Sequence, residues 1–139
     1  MEISINWLAV ALSTVVGMAV AMIWYSDWGL FGKAWRRWTG VTEEDSKKAG
    51  KTPFALLLVA NAITAIALEI SIAILAGYFK SNSVWLALLV GFAAWLGFSA
   101  TTLLQHNMFE QKPPRLTLIN NGYQLVLFLG MALVVGLLG

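Results

Sequence analysis

The chain contains no cysteine and a single histidine, His106. The first absence removes disulfides, thiolate metal sites and cysteine nucleophiles, although it suits every redox compartment. The second makes a multi-histidine metal site impossible within one chain. Charge is scarce as well: 12% of the 139 residues are charged, where a soluble domain carries about a quarter. Nucleic-acid binding needs a dense basic face. Nine Lys and Arg against seven Asp and Glu supply none outside one loop.

Apolar surface, by contrast, is abundant. Hydrophobic residues make up 59% of the chain, and the mean hydropathy is +0.75. A soluble chain this short has nowhere to hide so much of it, because small domains leave much of their surface wet. Composition therefore excludes a soluble globular domain, a disordered chain and a disulfide-stapled secreted domain. What remains is a small integral membrane protein of one domain.

Four apolar stretches are each long enough to cross a hydrocarbon core of about 30 Å, which takes about 20 helical residues. They cover about residues 5–25, 53–79, 84–109 and 115–138. Thr52-Pro53 reads as an N-cap and first-turn proline for the second span, and Pro113-Pro114 opens the fourth. Ser81-Asn82-Ser83 makes a tight turn between the second and third. The stretches are continuous, unlike the alternating segments of a membrane barrel. Ala19-Val20-Ala21 resembles a signal-peptidase site, but the leading residues carry Glu2 and no Lys or Arg, so the first span is expected to be retained.

Lys and Arg in short loops set orientation. Residues 26–52 hold Lys33, Arg36, Arg37, Lys47, Lys48 and Lys51, and residues at the start of the fourth span add Lys112 and Arg115. Eight of the nine cations thus share one side, and only Lys80 lies opposite. Loops 26–52 and 110–114 are expected in the cytoplasm, with both termini outside a bacterial inner membrane.

Trp28, Phe31, Trp35 and Trp38 recur at spacings of three and four, which aligns them on one face of a helix. With Trp24, Lys33, Arg36 and Arg37 they describe an interfacial anchor, aromatics at the headgroup level and cations toward anionic lipid. Thr42 and Asp45 then form a capping-box start with Asp in place of Glu. Lys47, Lys48 and Gly50 mark that helix's end. The expected fold class is all-α, a four-helix integral membrane bundle with a short amphipathic interfacial helix between helices one and two. Trp7-Leu8-Ala9 is echoed by Trp85-Leu86-Ala87, and Phe31 by Phe109, at a constant offset of 78. Two parallel hairpins would relate these by a pseudo-two-fold along the membrane normal.

Glu69 is the one ionisable group deep in a span, about 24 Å from the start of helix two at 1.5 Å per residue. Intramembrane acids are costly and face a bundle interior or a water-filled cavity. Asn61, Ala65, Glu69, Ala73 and Gly77 form a ridge of mostly small residues, so the acid points toward protein. Ser13, Thr14 and Trp95 lie nearest its depth. Glu69 reads either as a cation or proton site or as an interhelical hydrogen bond. Near the cytoplasmic face, Asn61, Gln105, His106, Asn107, Asn120, Asn121 and Gln124 form a polar cluster, either a vestibule or helix-to-helix glue. Ala9, Ser13, Gly17 and Ala21 make a packing stripe on helix one.

At Trp24-Tyr25-Ser26, Leu30-Phe31-Gly32-Lys33 and Trp35, the chain resembles an uncharacterised bacterial membrane family, domain of unknown function 1761. His106, Phe109-Glu110, Leu118-Ile119-Asn120 and Gly122-Tyr123 resemble its second signature. Family members often have proline after Trp-Tyr-Ser where this chain has Asp27, so the entry to the interfacial segment is expected to differ. The resemblance implies a small four-span protein with no assigned reaction. No cofactor is expected, and the tryptophans read as anchors and core filling. The expected partners are membrane lipids, a second copy or a larger membrane complex. The function expected first is structural or assembly-related. The alternative is a small oligomeric transporter or channel using Glu69 and the polar cluster. A lipid-modifying enzyme ranks last, because no nucleophile–base pair or metal set is visible.

Overall fold

The computed structural model describes residues 4–139, and the Glu2 weighed above lies outside the described residues. Six helices follow in order: α1 (Trp7–Tyr25), α2 (Gly32–Thr39), α3 (Glu43–Ala49), α4 (Thr52–Phe79), α5 (Val84–Phe109) and α6 (Pro114–Leu138). Four of them, α1, α4, α5 and α6, are long and apolar enough to span a membrane. The fold is an all-α bundle of four spans, and the chain is an integral membrane protein. The span limits read from hydropathy lie within two residues of the observed ones.

Local chemistry accounts for the ends. The Asn6 side chain accepts from the Ala9 N–H and starts α1, and Ser83 does the same for α5 through Trp85. Thr42 and Asp45 form a reciprocal capping box on α3. Gly40 ends α2 at φ 78°, where a side chain is strained. Thr52 is not the cap expected of it: Lys51 takes that place, and Thr52 is already helical ahead of Pro53. Within α5 a π-helical segment, Trp95–Ala100, interrupts the α-helical ladder. Such wide turns often redirect a side chain; here Trp95 Nε1 donates to the Asn121 carbonyl on α6 at 3.0 Å.

α1 and α5 both run from the end where the chain termini and the α4–α5 turn lie toward the end carrying α2, α3 and the α5–α6 loop. These are called the terminal end and the loop end below. The eight clustered cations all lie at the loop end. The α1–α4 and α5–α6 hairpins run in the same direction, as the succession of spans dictates, but they pack unequally. α6 packs closely on both α1 and α5 and α1 packs on α4, while the α4–α5 seam is looser.

Lipid tails are as apolar as leucine, so helices associate through close contact rather than through hiding apolar surface. Ala9, Ser13, Gly17 and Ala21 on α1 are all buried, and Ser13 Oγ donates to the Met131 carbonyl at 3.4 Å. α6 presents Leu116, Ile119, Tyr123, Leu127, Met131 and Val135, spaced by three or four residues, to its neighbours. A Cβ at Gly91 would stand 2.7 Å from the Ala132 Cβ, so α5 approaches α6 at a distance only glycine permits. Gly97, by contrast, has open space around it. Gly91→Ala is therefore expected to lower unfolding stability in detergent by about 1–3 kcal/mol. Gly97→Ala is expected to leave it unchanged, and thermal melts of the two variants check both.

Candidate functional site

Glu69 is 4% exposed. Its Oε1 accepts from the Asn6 backbone N–H at 3.0 Å, and its Oε2 is buried with no partner among the described residues. The expected neighbours bond elsewhere: Ser13 to Met131, Thr14 to the Val10 carbonyl, and Trp95 to Asn121. Counting depth from helix ends misleads here because the helices are staggered. α4 continues from Glu69 to Phe79, whereas α1 only begins at Trp7, so an unpaired amide at the α1 terminus meets the carboxyl. Glu69 also lines a cavity of ≈ 150 Å³ at the terminal end, together with Ser4, Asn6 and the Ser81–Ser83 turn. It is remote from the polar cluster at the loop end.

That cluster does not form one vestibule. Asn61 is 2% exposed and donates to Met18 Sδ at 3.2 Å. Asn107 donates to Thr117 Oγ1 at 2.9 Å, tying the end of α5 to α6. Asn120 Oδ1 accepts from the Tyr25 hydroxyl at 2.6 Å. Asn121 offers its carbonyl to Trp95 while its Oδ1 is buried and unpaired. Gln124 is half-buried, and Gln105 and His106 are exposed. These groups meet separate partners, on three different helix pairs.

A different set converges at the loop end. Trp24 Nε1 donates to the Ile119 carbonyl at 2.9 Å. Its ring lies against Gly122 and, at 4.8 Å between centroids, against Phe31. Tyr25 stacks edge-on against both Tyr123 at 5.0 Å and Trp35 at 5.9 Å. The chain then doubles back: the Leu30 and Phe31 amides return to the carbonyls of Ile23 and Trp24, each at 2.9 Å. A Cβ at Gly32 would fall 2.0 Å from the Ser26 carbonyl oxygen, so this reversal requires glycine there.

A family model described as a protein of unknown function (DUF1761) matches residues 8–136. The chain belongs to the DUF1761 family. Comparison with curated proteins and with solved structures returns no match. The two DUF1761 signature segments seen in the sequence are the segments that meet here: Trp24 and Tyr25 on α1 bond to Ile119 and Asn120 on α6.

The reversal also changes the anchor. Trp28 and Phe31 were expected on the amphipathic helix, but α2 starts only at Gly32, and both precede it. Phe31 turns inward onto Trp24, and Trp28 is 72% exposed. Trp35 faces Tyr25, and only Trp38 of the helical pair lies among free cations, with Arg37 and Arg115 at 5.3 and 5.4 Å from its ring. Lys33 and Arg37 are exposed. Arg36 is withdrawn instead. Its Nε donates to Asp27 Oδ1 at 2.7 Å, and its Nη1 donates to Ser46 Oγ at 2.9 Å, bolting α2 to α3.

The bond from Arg36 holds the Asp27 carboxyl below the usual aspartate range. Since folding lowers that pKa, the bond's contribution is present above the unfolded aspartate range and lost as pH falls through the folded value. Asp45 is likewise lowered, through hydrogen bonds from the Thr42 amide and hydroxyl.

Between α2, α3 and the adjoining ends of α1 and α4 lies a cavity of ≈ 550 Å³. Asp27, Asp45 and Ser46 in its wall were not singled out as site residues from sequence, because only the chain reversal brings them beside Tyr25 and Trp35. The Tyr25–Asn120 pair and Tyr123 were foreshadowed by the paired signatures. Tyr123 lies 5% exposed with its hydroxyl unpaired. Tyr25→Phe is expected to cost about 1 kcal/mol, because it strands Asn120, whereas Tyr123→Phe is neutral or stabilising because it removes an orphaned hydroxyl. Thermal melts of the two variants, compared with the parent, check the contrast.

Proposed function

We propose that this DUF1761 protein is a structural or assembly component of a membrane, working as a second copy's partner or as a subunit, rather than a conduit. The supporting observation is the contrast between a closed bundle axis and an open seam. Between Glu69 and Asn61, Ala65, Ser13 and Met131 are each 0% exposed. Along the α4–α5 seam, two grooves of ≈ 400 and ≈ 340 Å³ remain, walled by Ser71, Ala94 and Phe98 in both cases. A helix laid into that seam would gain the close contacts on which membrane association depends.

In this reading the loop end faces the cytoplasm of a bacterial cell and the termini face outward, as the cation bias implies. Lipid headgroups meet Lys33, Arg37 and Arg115. A second reading, an oligomeric transporter, draws on the unpaired Glu69 Oε2 beside the terminal-end cavity.

The cysteine-free chain suits single-thiol tests. Phe98→Cys is expected to form disulfide-linked dimers on mild oxidation in membranes, and Val15→Cys, at an exposed position on α1, is not. Equal or absent cross-linking at both positions counts against the assembly reading. In intact cells an impermeant thiol reagent is expected to label Ser81→Cys and spare Ser46→Cys; the reverse pattern inverts the topology. For the second reading, Glu69→Gln keeps the Asn6 bond and should leave folding intact, while Glu69→Lys buries a cation at the α1 N-terminus and should prevent it. A transport assay in which Glu69→Gln loses cation flux with folding unchanged would establish the second reading.

A further inference from the structure

We propose that the loop-end cavity and the groove beneath it form one binding site for a single phospholipid whose headgroup ends in a primary ammonium. The site lies on the α1–α4 side, away from the α4–α5 seam, and so stands apart from the assembly reading.

Two cavities adjoin there. The larger lies among Asp27, Trp28, Trp35, Arg36, Asp45 and Ser46. The smaller, of ≈ 210 Å³, runs along the α1–α4 groove past Met18, Met22 and Leu57. Tyr25, Ser26 and Phe54 line both. A largely apolar chamber with Asp27, Arg36, Asp45 and Ser46 in its wall thus adjoins an apolar trough that follows α1 from Tyr25 back to Met18, about 10 Å at 1.5 Å per residue. An amphipathic molecule with its chain in the trough and its head in the chamber matches that shape, and a free headgroup would leave the trough empty.

Charge selects the head. The chamber carries two carboxylates and one guanidinium, an excess of negative charge. Arg36 is committed: Nε and Nη2 go to Asp27, and Nη1 goes to Ser46 and the Val41 carbonyl. One Nη2 proton is left over for a phosphate oxygen. Acceptors are in surplus. Asp45, an exposed residue, takes the Thr42 amide on Oδ2 at 3.0 Å and draws the Thr42 hydroxyl as well, and the carboxylate lone pairs still outnumber those donors. Donors in the head are therefore wanted more than acceptors, which favours an ammonium over a glycerol or a bare phosphate. Tyr25, Trp28 and Trp35 line the same chamber; Arg36 already lies over the Trp35 ring, and Trp28, 72% exposed, is the ring left to attract a further cation. A primary ammonium also has N–H groups for the carboxylates, which a trimethylated one lacks.

The test is native mass spectrometry of the full chain released from nanodiscs of equal ethanolamine, choline and glycerol phospholipid. The expected result is retention of one ethanolamine phospholipid, about ten-fold over either competitor, as one charge-assisted hydrogen bond would give. Asp45→Asn can still accept from the Thr42 amide and so keeps α3, but removes the charge; it is expected to erase that preference. Trp28→Ala, at an exposed position that the fold does not need, is expected to weaken retention as well. Retention that ignores the headgroup, or a preference unchanged in both variants, overturns the proposal. Displacement of the lipid by soluble phosphoethanolamine overturns it too, because the trough would then contribute nothing.

Discussion

Close backbone approach is the constraint on which this bundle rests. In water, burial of leucine and phenylalanine would hold the helices together; in lipid it separates bound from unbound helices only weakly. What remains is contact at short range, and α6 is where it concentrates. Gly91 lies under Ala132, and the stripe Ala9, Ser13, Gly17 and Ala21 lies against α6 and α4. Where the facing residues are large, as with Leu75, Phe79, Leu89 and Phe98, the helices part and leave the α4–α5 grooves. One rule thus closes three interfaces and opens the fourth.

Polar groups follow from the same solvent. A backbone or side-chain group without a partner is costly in hydrocarbon, and the spans satisfy many of one another's groups, leaving Glu69 Oε2, Asn121 Oδ1 and the Tyr123 hydroxyl unpaired among the described residues. Three α6 carbonyls, at Ile119, Asn121 and Met131, receive side-chain donors from Trp24, Trp95 and Ser13 in addition to their helical bonds. At the opposite end, Glu69 reaches across from α4 to an amide that α1 itself leaves open. The Glu69 bond serves stagger. It lets a 19-residue helix pack beside a 28-residue one without exposing its first turn to an apolar neighbour.

The class, the span count, the parallel hairpins and the grouping of cations at one end were legible in the sequence, because each depends on composition or on residues near in the chain. Trp24, Tyr25, Asn120 and Tyr123 lie in the two segments that carried the resemblance, and those segments meet in the fold. The rest depended on tertiary placement. The helical face of Trp28, Phe31, Trp35 and Trp38 is good periodicity, but the backbone hydrogen bonds of the reversal at Gly29 and Gly32 take Trp28 and Phe31 out of the helix. Depth counting placed Glu69 beside Ser13, Thr14 and Trp95 because it assumed level helix ends. The amides Asn61, Asn107, Asn120 and Asn121 looked like one cluster because depth alone does not say which helix pair each side chain enters.

The loop end combines two kinds of electrostatics that net charge conceals. Lys33, Arg37 and Arg115 stand outward, free to meet the negative surface of a bilayer, and long-range attraction of that kind needs no fixed geometry. Arg36 is adjacent in sequence to Arg37, yet Asp27 and Ser46 draw it into the fold. Asp27 supplies the carboxylate that fixes Arg36. With Asp45 it leaves the chamber wall with acceptors in excess, while Lys33 and Arg37 outside it stay exposed. A single end can therefore hold the membrane by its exposed cations and still select a cationic headgroup, because Arg36, the cation in the chamber wall, is already committed to Asp27 and Ser46.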